Sequence, residues 1–500
     1  MRAISLVNRI EFEFRGNVAR NAIVLGDLDN DGSNELVIGS DNGKVAIFKG
    51  RRKFQVISNL SFVSCIAIGD IFNEKQNNLV IVTADGWCYI YKAIIRKKVV
   101  EYEETAVEDV DAIDGQVFSG ESTDGLKDDQ PVSSNKFYKE TEDEDEMLLT
   151  CVHTQRIPAN SKDILLADVN GDGSIEMVLG LTDRVVRSYR WIPNVGTRNK
   201  SFSSTSSSEE KENKVDNCLG KLVALNKWEC ANQIGSITLH HSEDGQPSLL
   251  IAQPGGTFMR IKCPCEQTWR QDLENSETST NSTSSDSTSS SLVDYQYLGI
   301  SRMRSRNIST EILGDFRTAT PNADKESLEG DEVSTNNQAR PYALATLDGT
   351  IMLVRNEVIL WAMAVDHQIF ALTKLDVTGT GSDDIVVCSW DGQTYILDQD
   401  KNSVRFHLEQ PVQAFNSGYY NLTPNEPPVT CLVYVTFKNT VIIYYDIPLH
   451  DLTIRKFEPD LSLLAMKLNE EENGAEDKVK DFDKNTKKSL VSYLLYNLNS

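Results

Sequence analysis

One short motif, returning seven times, constrains this chain more than anything else in it. "GSDNGKVAIFK" runs from Gly39, "TADGWCYIYK" from Thr83 and "GLTDRVVRSYRW" from Gly180. "AQPGGTFMRI" follows from Ala252, "ATLDGTIMLV" from Ala345, "CSWDGQTYILD" from Cys388 and "TFKNTVIIYY" from Thr436. Most copies carry Asp-Gly, Asn-Gly or Gly-Gly, pairs that tolerate the positive φ of a tight hairpin turn. Alternating aromatic and β-branched residues follow, as in a half-buried strand. Uninterrupted neighbours lie about 44 residues apart, the period of a four-stranded propeller blade.

A second element precedes several of these turns: an apolar strand ending in Gly-Asp or a similar pair. It starts at Ala22, Cys65, Ile164, Glu311 and Leu372. One blade therefore reads strand, loop, strand, tight turn, strand, with a fourth strand in the segment before the next copy. Seven such blades give an all-β, seven-bladed β-propeller over residues 1–450, a ring without open sheet edges. The N-terminal strand, Ile4 to Phe14, is spare in that count. It is expected to complete the last blade beside Val441 to Tyr445 and so close the ring.

Four segments break the rhythm: about 100–147, 194–217, 274–291 and 317–340. They are acidic or rich in Ser and Thr and cannot bury enough apolar area to offset chain entropy, so they are expected to be disordered insertions outside the ring. Residues 451–500 form an acidic linker and then an amphipathic helix. Leu490, Val491, Leu494, Leu495 and Leu498 fall on one helical face, suited to docking on the propeller itself or in a partner's groove.

The loops after the first strands are acidic. "DLDNDGSNE" spans Asp27 to Glu35 and "DVNGDGSIE" spans Asp168 to Glu176. Oxygen side chains stand at loop positions 1, 3, 5 and 9, with Gly32 and Gly173 at position 6 for the bend. Hard divalent cations want such convergent oxygens. An EF-hand is excluded, because its twelfth position is Ile38 here and strands flank the loop. "DVTGTGSDD", from Asp376, keeps the ends and has Thr378 and Thr380 in the middle; "DIFNEKQNN", from Asp70, keeps little beyond its first residue. A second use of the same oxygens is to accept hydrogen bonds from the loop's own N–H groups.

Other chemistry is thinly represented. Net charge is −24, which disfavours nucleic acid and direct membrane attachment. No phosphate-binding Gly-rich motif and no nucleophile elbow occurs. His240 and His241 are adjacent, so on a strand they point to opposite faces and suit no shared metal. The nine cysteines read as reduced thiols, with Cys65, Cys88, Cys388 and Cys431 on strands. Cys263-Pro264-Cys265 has no partner pair for zinc. No signal peptide or membrane-length apolar run is expected.

The pattern of strand, D-x-D/N-x-D-G-x-x-D/E, strand resembles the FG-GAP repeat of integrin α-subunit propellers. The first ninety or so residues resemble, within that class, the family of FG-GAP proteins that serve as subunits of the lysosomal scaffold complex KICSTOR. No cofactor is required by the scaffold reading; the integrin pattern implies calcium in these loops. Asp27, Asp29, Asp31 and Glu35 would be ligands of one ion, helped by the Ser33 carbonyl, and Asp168, Asn170, Asp172 and Glu176 ligands of a second. Both sets depart from that pattern by having Glu at position 9. The family resemblance implies a non-enzymatic scaffold, cytoplasmic and recruited to the lysosomal surface through partners. It would help hold the GATOR complex there, lowering TOR signalling in amino-acid or glucose starvation. Its implied partners are kaptin and the very large seizure-threshold subunit. The alternative is a propeller enzyme with a metal-dependent site at the ring axis, which would need His and carboxylates converging there from several blades.

Overall fold

In the computed structural model the residues described are 2–96, 99–102, 137–140, 146–194, 220–263, 293–297, 307–318, 339–423 and 426–447, with 449 and 488. The chain divides into two units, Met1–Ile447 and Pro448–Ser500. Of the second, nearly all lies outside the described residues, including the expected helix with Leu490, Val491, Leu494, Leu495 and Leu498. The segments 274–291 and most of 194–217 and 317–340 lie outside them as well.

The first unit is a seven-bladed propeller. Blade 1 is built from Ile23–Gly26, Glu35–Gly39, Val45–Lys49 and Arg52–Ile57, paired antiparallel in sequence order. Blade 2 begins at Val63–Gly69, blade 3 at Ser161–Ala167, blade 4 at Ile237–His241 and blade 5 at Thr310–Leu313. Blade 6 begins at Ile369–Leu375 and blade 7 at Val412–Tyr420.

Second strands are buried along their whole length in blades 1 to 6, as in Asn78–Thr83, Glu176–Leu181 and Asp384–Ser389. Each lies between neighbouring blades on both faces, so its sequence is a continuous apolar run rather than an alternation. Outer strands are more exposed: in Val358–Ala364 of blade 5, exposed and half-buried positions follow one another. In that strand Val358 and Leu360 are 63% and 45% exposed, and Trp361 donates its indole N–H to the Gln399 carbonyl at 2.8 Å.

Blade 7 is completed from the other end of the chain. Arg9–Glu13 pairs antiparallel with Thr440–Tyr445, Glu11 opposite Ile442. Phe12 packs on Phe48 of blade 1 with ring centroids 4.5 Å apart. Two features were not anticipated. Arg2–Ala3 adds a short fifth strand, parallel to Ser403–His407 of blade 6. Inside the segment read as a disordered insertion at 100–147, Val99–Tyr102 and Phe137–Glu140 pair antiparallel, and Glu146–Arg156 is the outer strand of blade 2.

The repeated turn has a physical reason for its glycine. Gly392 sits at φ +89°, and a Cβ there would lie 2.2 Å from the Leu408 carbonyl oxygen. A buried hydroxyl at the end of the second strand finishes the turn. Thr83, Thr346 and Ser389 donate to Asp85, Asp348 and Asp391 at 2.6, 2.5 and 2.5 Å. The same oxygens accept the N–H of Trp87, Thr350 and Gln393.

Candidate functional site

The acidic loops lie on one face of the ring, between first and second strands, and the Asp-Gly turns on the other. In blade 1 the Asp27 carboxylate accepts the N–H groups of Asp31 and Gly32, both at 3.1 Å. Asp31 accepts Ser33 N–H at 2.7 Å, and the buried Glu35 accepts Leu28 N–H at 3.0 Å. Blade 3 repeats the scheme: Asp168 takes Asp172 and Gly173 N–H at 3.2 and 2.7 Å, and Glu176 takes Val169 N–H at 3.1 Å. Asn170 accepts Asp172 N–H at 3.1 Å. In blade 6 Asp376 takes Thr380 and Gly381 N–H, and Asp384 takes Val377 N–H. Even in blade 2, Asp70 takes Glu74 and Lys75 N–H. The first and ninth positions thus brace the bend, each hydrogen bond to a carboxylate contributing about 1.5–3 kcal/mol.

The structure adds a residue that the motif does not contain. Lys49, on the third strand of blade 1, places its ammonium 2.5 Å from Asp29, 2.6 Å from Asp31 and 3.2 Å from Glu35. Burial alone would lower the Lys49 pKa; hydrogen bonds to Asp29 and Asp31 outweigh it and raise the value well above normal. Burial pushes Glu35 up to about 7. In blade 3 Arg190 holds Asp172 at 2.6 Å and grips Glu176 through Nε at 2.9 Å and also through Nη2. Lys92 reaches Glu74 in blade 2 at 2.9 Å.

These contacts decide how the residues fit a calcium ion. Asp27, Asp29 and Glu35 each bring one oxygen within 4.8 Å of the others, and among the described residues theirs is the one such group. Ca²⁺ takes six to eight oxygens at about 2.3–2.6 Å. An ammonium already contacts Asp29, Asp31 and Glu35, where an ion would have to sit. The donor set fits a cation supplied by the chain and does not fit calcium unless Lys49 leaves. A permanently charged guanidinium makes the same argument for Asp172 and Glu176 in blade 3.

The ring axis is also charged. Arg20, just before blade 1, donates to Glu311 of blade 5 at 2.5 Å and to the Phe370 and Gly235 carbonyls at 3.1 and 3.3 Å. Asn21 donates to Asp163 of blade 3 at 2.9 Å, and Asp163 also accepts Ile237 N–H at 2.8 Å. Burial raises Asp163 to about 6. These groups line an axial cavity of about 220 Å³ that contains no histidine. Two carboxylates, Asp163 and Glu311, line it, and Arg20 pairs directly with Glu311.

His240 and His241 share a neighbour: both turn a ring nitrogen towards Asp315, just beyond the first strand of blade 5, at 3.4 and 2.5 Å. Burial would raise the Asp315 pKa, but these contacts and His241 N–H hold it at about 2. Cys65, Cys88, Cys388 and Cys431 are buried and free, as core thiols should be.

A family model described as Integrin-alpha FG-GAP repeat-containing protein 2 matches residues 49–449. The chain belongs to that family. A Mus musculus relative named KICSTOR complex protein ITFG2 is 33% identical over 482 residues, covering 94% of this chain and 92% of the relative. A Bos taurus protein of the same name is 31% identical, covering 90% and 72%. Among solved structures, BBS1N in complex with ARL6DN aligns over 90% of this chain and 99% of its own, at 13% identity and a TM-score of 0.47. The propeller is read from strand pairing, which needs no support from that alignment.

Proposed function

We propose that this chain is a non-enzymatic scaffold subunit of a KICSTOR complex. In this reading it binds kaptin and the large seizure-threshold subunit and, through the assembly, tethers the GATOR complex at the lysosomal surface. TOR complex signalling then falls when amino acids or glucose are scarce. The observation that carries the reading is the relationship along nearly the whole chain to proteins named as KICSTOR subunits. Two physical features support it. At the axis Arg20 of the segment before blade 1 pairs with Glu311 of blade 5, a contact that ties the ring together. The outer strand of blade 5 leaves apolar side chains in water, an arrangement favoured where a protein surface is covered by another.

The test is recovery of the tagged chain from gentle lysates of fed and starved cells, with mass spectrometry of what accompanies it. Kaptin and the large subunit should co-purify, and loss of the chain should leave TOR signalling high in starvation. Recovery of the chain alone, with normal shut-off in cells that lack it, would remove the proposal.

A further inference from the structure

We infer that Lys49 and Arg190 are built-in replacements for the metal ions that the loops of blades 1 and 3 would otherwise require, so that this propeller holds its acidic face together without calcium. Three observations combine. First, the cation sits where the loop oxygens converge. Lys49 contacts Asp29, Asp31 and Glu35, with Asp29 and Glu35 side chains only 5% and 1% exposed. Second, the placement repeats. Loop position 5 and the basic residue are 18 residues apart in Asp31–Lys49, Glu74–Lys92 and Asp172–Arg190. In blades 1, 2 and 3 the third strand therefore sends a cation back to the preceding acidic loop. Third, blade 6 covaries within the same chain. Position 5 is Thr380, a neutral residue, and the residue 18 further on is Asp398, which bonds Asn402 instead. Where the loop has lost its central carboxylates, the basic residue is lost with them.

The physical logic is competition for one volume. An ion at the centre of the blade 1 loop needs the space that the ammonium fills, and displacing Lys49 gives up its charge-assisted contacts to Asp29, Asp31 and Glu35. Calcium loops of extracellular modules bind at about 10⁻⁴–10⁻³ M without such a competitor. With one, they should not fill at any calcium concentration a cell interior offers. Removing the side-chain charge should reverse this: the carboxylates remain in place, held by backbone N–H groups, and become a site for a free cation. Arg190 does the same in blade 3, its planar fork gripping two carboxylates.

The experiment uses the purified full chain, wild type and Lys49→Met, with thermal unfolding in millimolar calcium and in chelator and calcium titrated by calorimetry. Wild type should melt at the same temperature in both and give no saturable calcium binding. Lys49→Met should melt lower in chelator, recover part of the loss in calcium, and bind with a Kd of about 10⁻⁴–10⁻³ M. Arg190→Met provides the same readout in blade 3 should Lys49→Met fold poorly, and calorimetry on the wild type needs no variant. A wild-type melting temperature that falls in chelator, saturable wild-type calcium binding below millimolar, or a variant indifferent to calcium would each overturn the inference.

Discussion

Arg20 offers the sharpest test of how the ring is held. It precedes blade 1, yet its guanidinium bonds Glu311 of blade 5, the carbonyl of Phe370 at the start of blade 6 and that of Gly235 just before blade 4. Arg20→Met keeps most of the aliphatic packing and removes the charge. The Glu311 side chain, 9% exposed, is then left without its countercharge. Breaking a buried ion pair costs about 3–5 kcal/mol; because Arg20 keeps 23% exposure, the low end, about 3 kcal/mol, is expected. That is roughly a hundredfold in the unfolding constant. Urea unfolding followed by tryptophan fluorescence should show a lower midpoint with an unchanged slope. The double variant Arg20→Met, Glu311→Leu should recover most of the loss, since two apolar groups need no countercharge. A single variant within about 0.5 kcal/mol of wild type, or a double variant no better than the single, would refute the reasoning.

Other consequences follow from the same geometry. Gly392→Ala places a Cβ against the Leu408 carbonyl at positive φ and should destabilise by at least about 2 kcal/mol, whereas Gly379→Ala, with nothing within 4 Å, should cost about 1; paired urea titrations separate the two. Asp315 is held at about 2 in the folded protein, below the ordinary 3.8, so its contribution is present above the unfolded value and is lost as pH falls through the folded one. Wild type should therefore lose roughly 1–2 kcal/mol more than Asp315→Asn between about pH 5 and pH 2, read from unfolding free energies at each pH. Asp31→Asn removes one partner of Lys49, and its melting temperature should drop equally in calcium and in chelator.

The sequence disclosed the architecture where local stereochemistry demanded particular residues. Positive φ in the turns calls for glycine or asparagine, as at Gly43, Gly86, Gly349, Gly392 and Asn439, so the repeat could be counted. Closure by the N-terminal strand was legible because Arg9–Glu13 alternates and had no other blade to join. The two-residue strand Arg2–Ala3 was too short to show a period. What the loops do was legible only in half. The oxygens at positions 1, 3, 5 and 9 were visible, but their cation comes from the far side of a hairpin, 18 residues on. That constant offset from an acidic position to Lys49, Lys92 and Arg190 was the available signal. Arg20 and Glu311 are 291 residues apart, and nothing local marks either as axial. The pairing of both His240 and His241 with Asp315 depends on how adjacent first strands end, which strand periodicity cannot convey.

Amide hydrogen exchange on the intact chain addresses the ring most directly, because closure rests on one strand borrowed from the opposite terminus. Peptides covering Arg9–Glu13 should be protected to the same degree as those covering Thr440–Tyr445, both opening only with the whole propeller. Exchange of Arg9–Glu13 at the rate of a free chain while Thr440–Tyr445 stays protected would contradict a ring closed by its two ends.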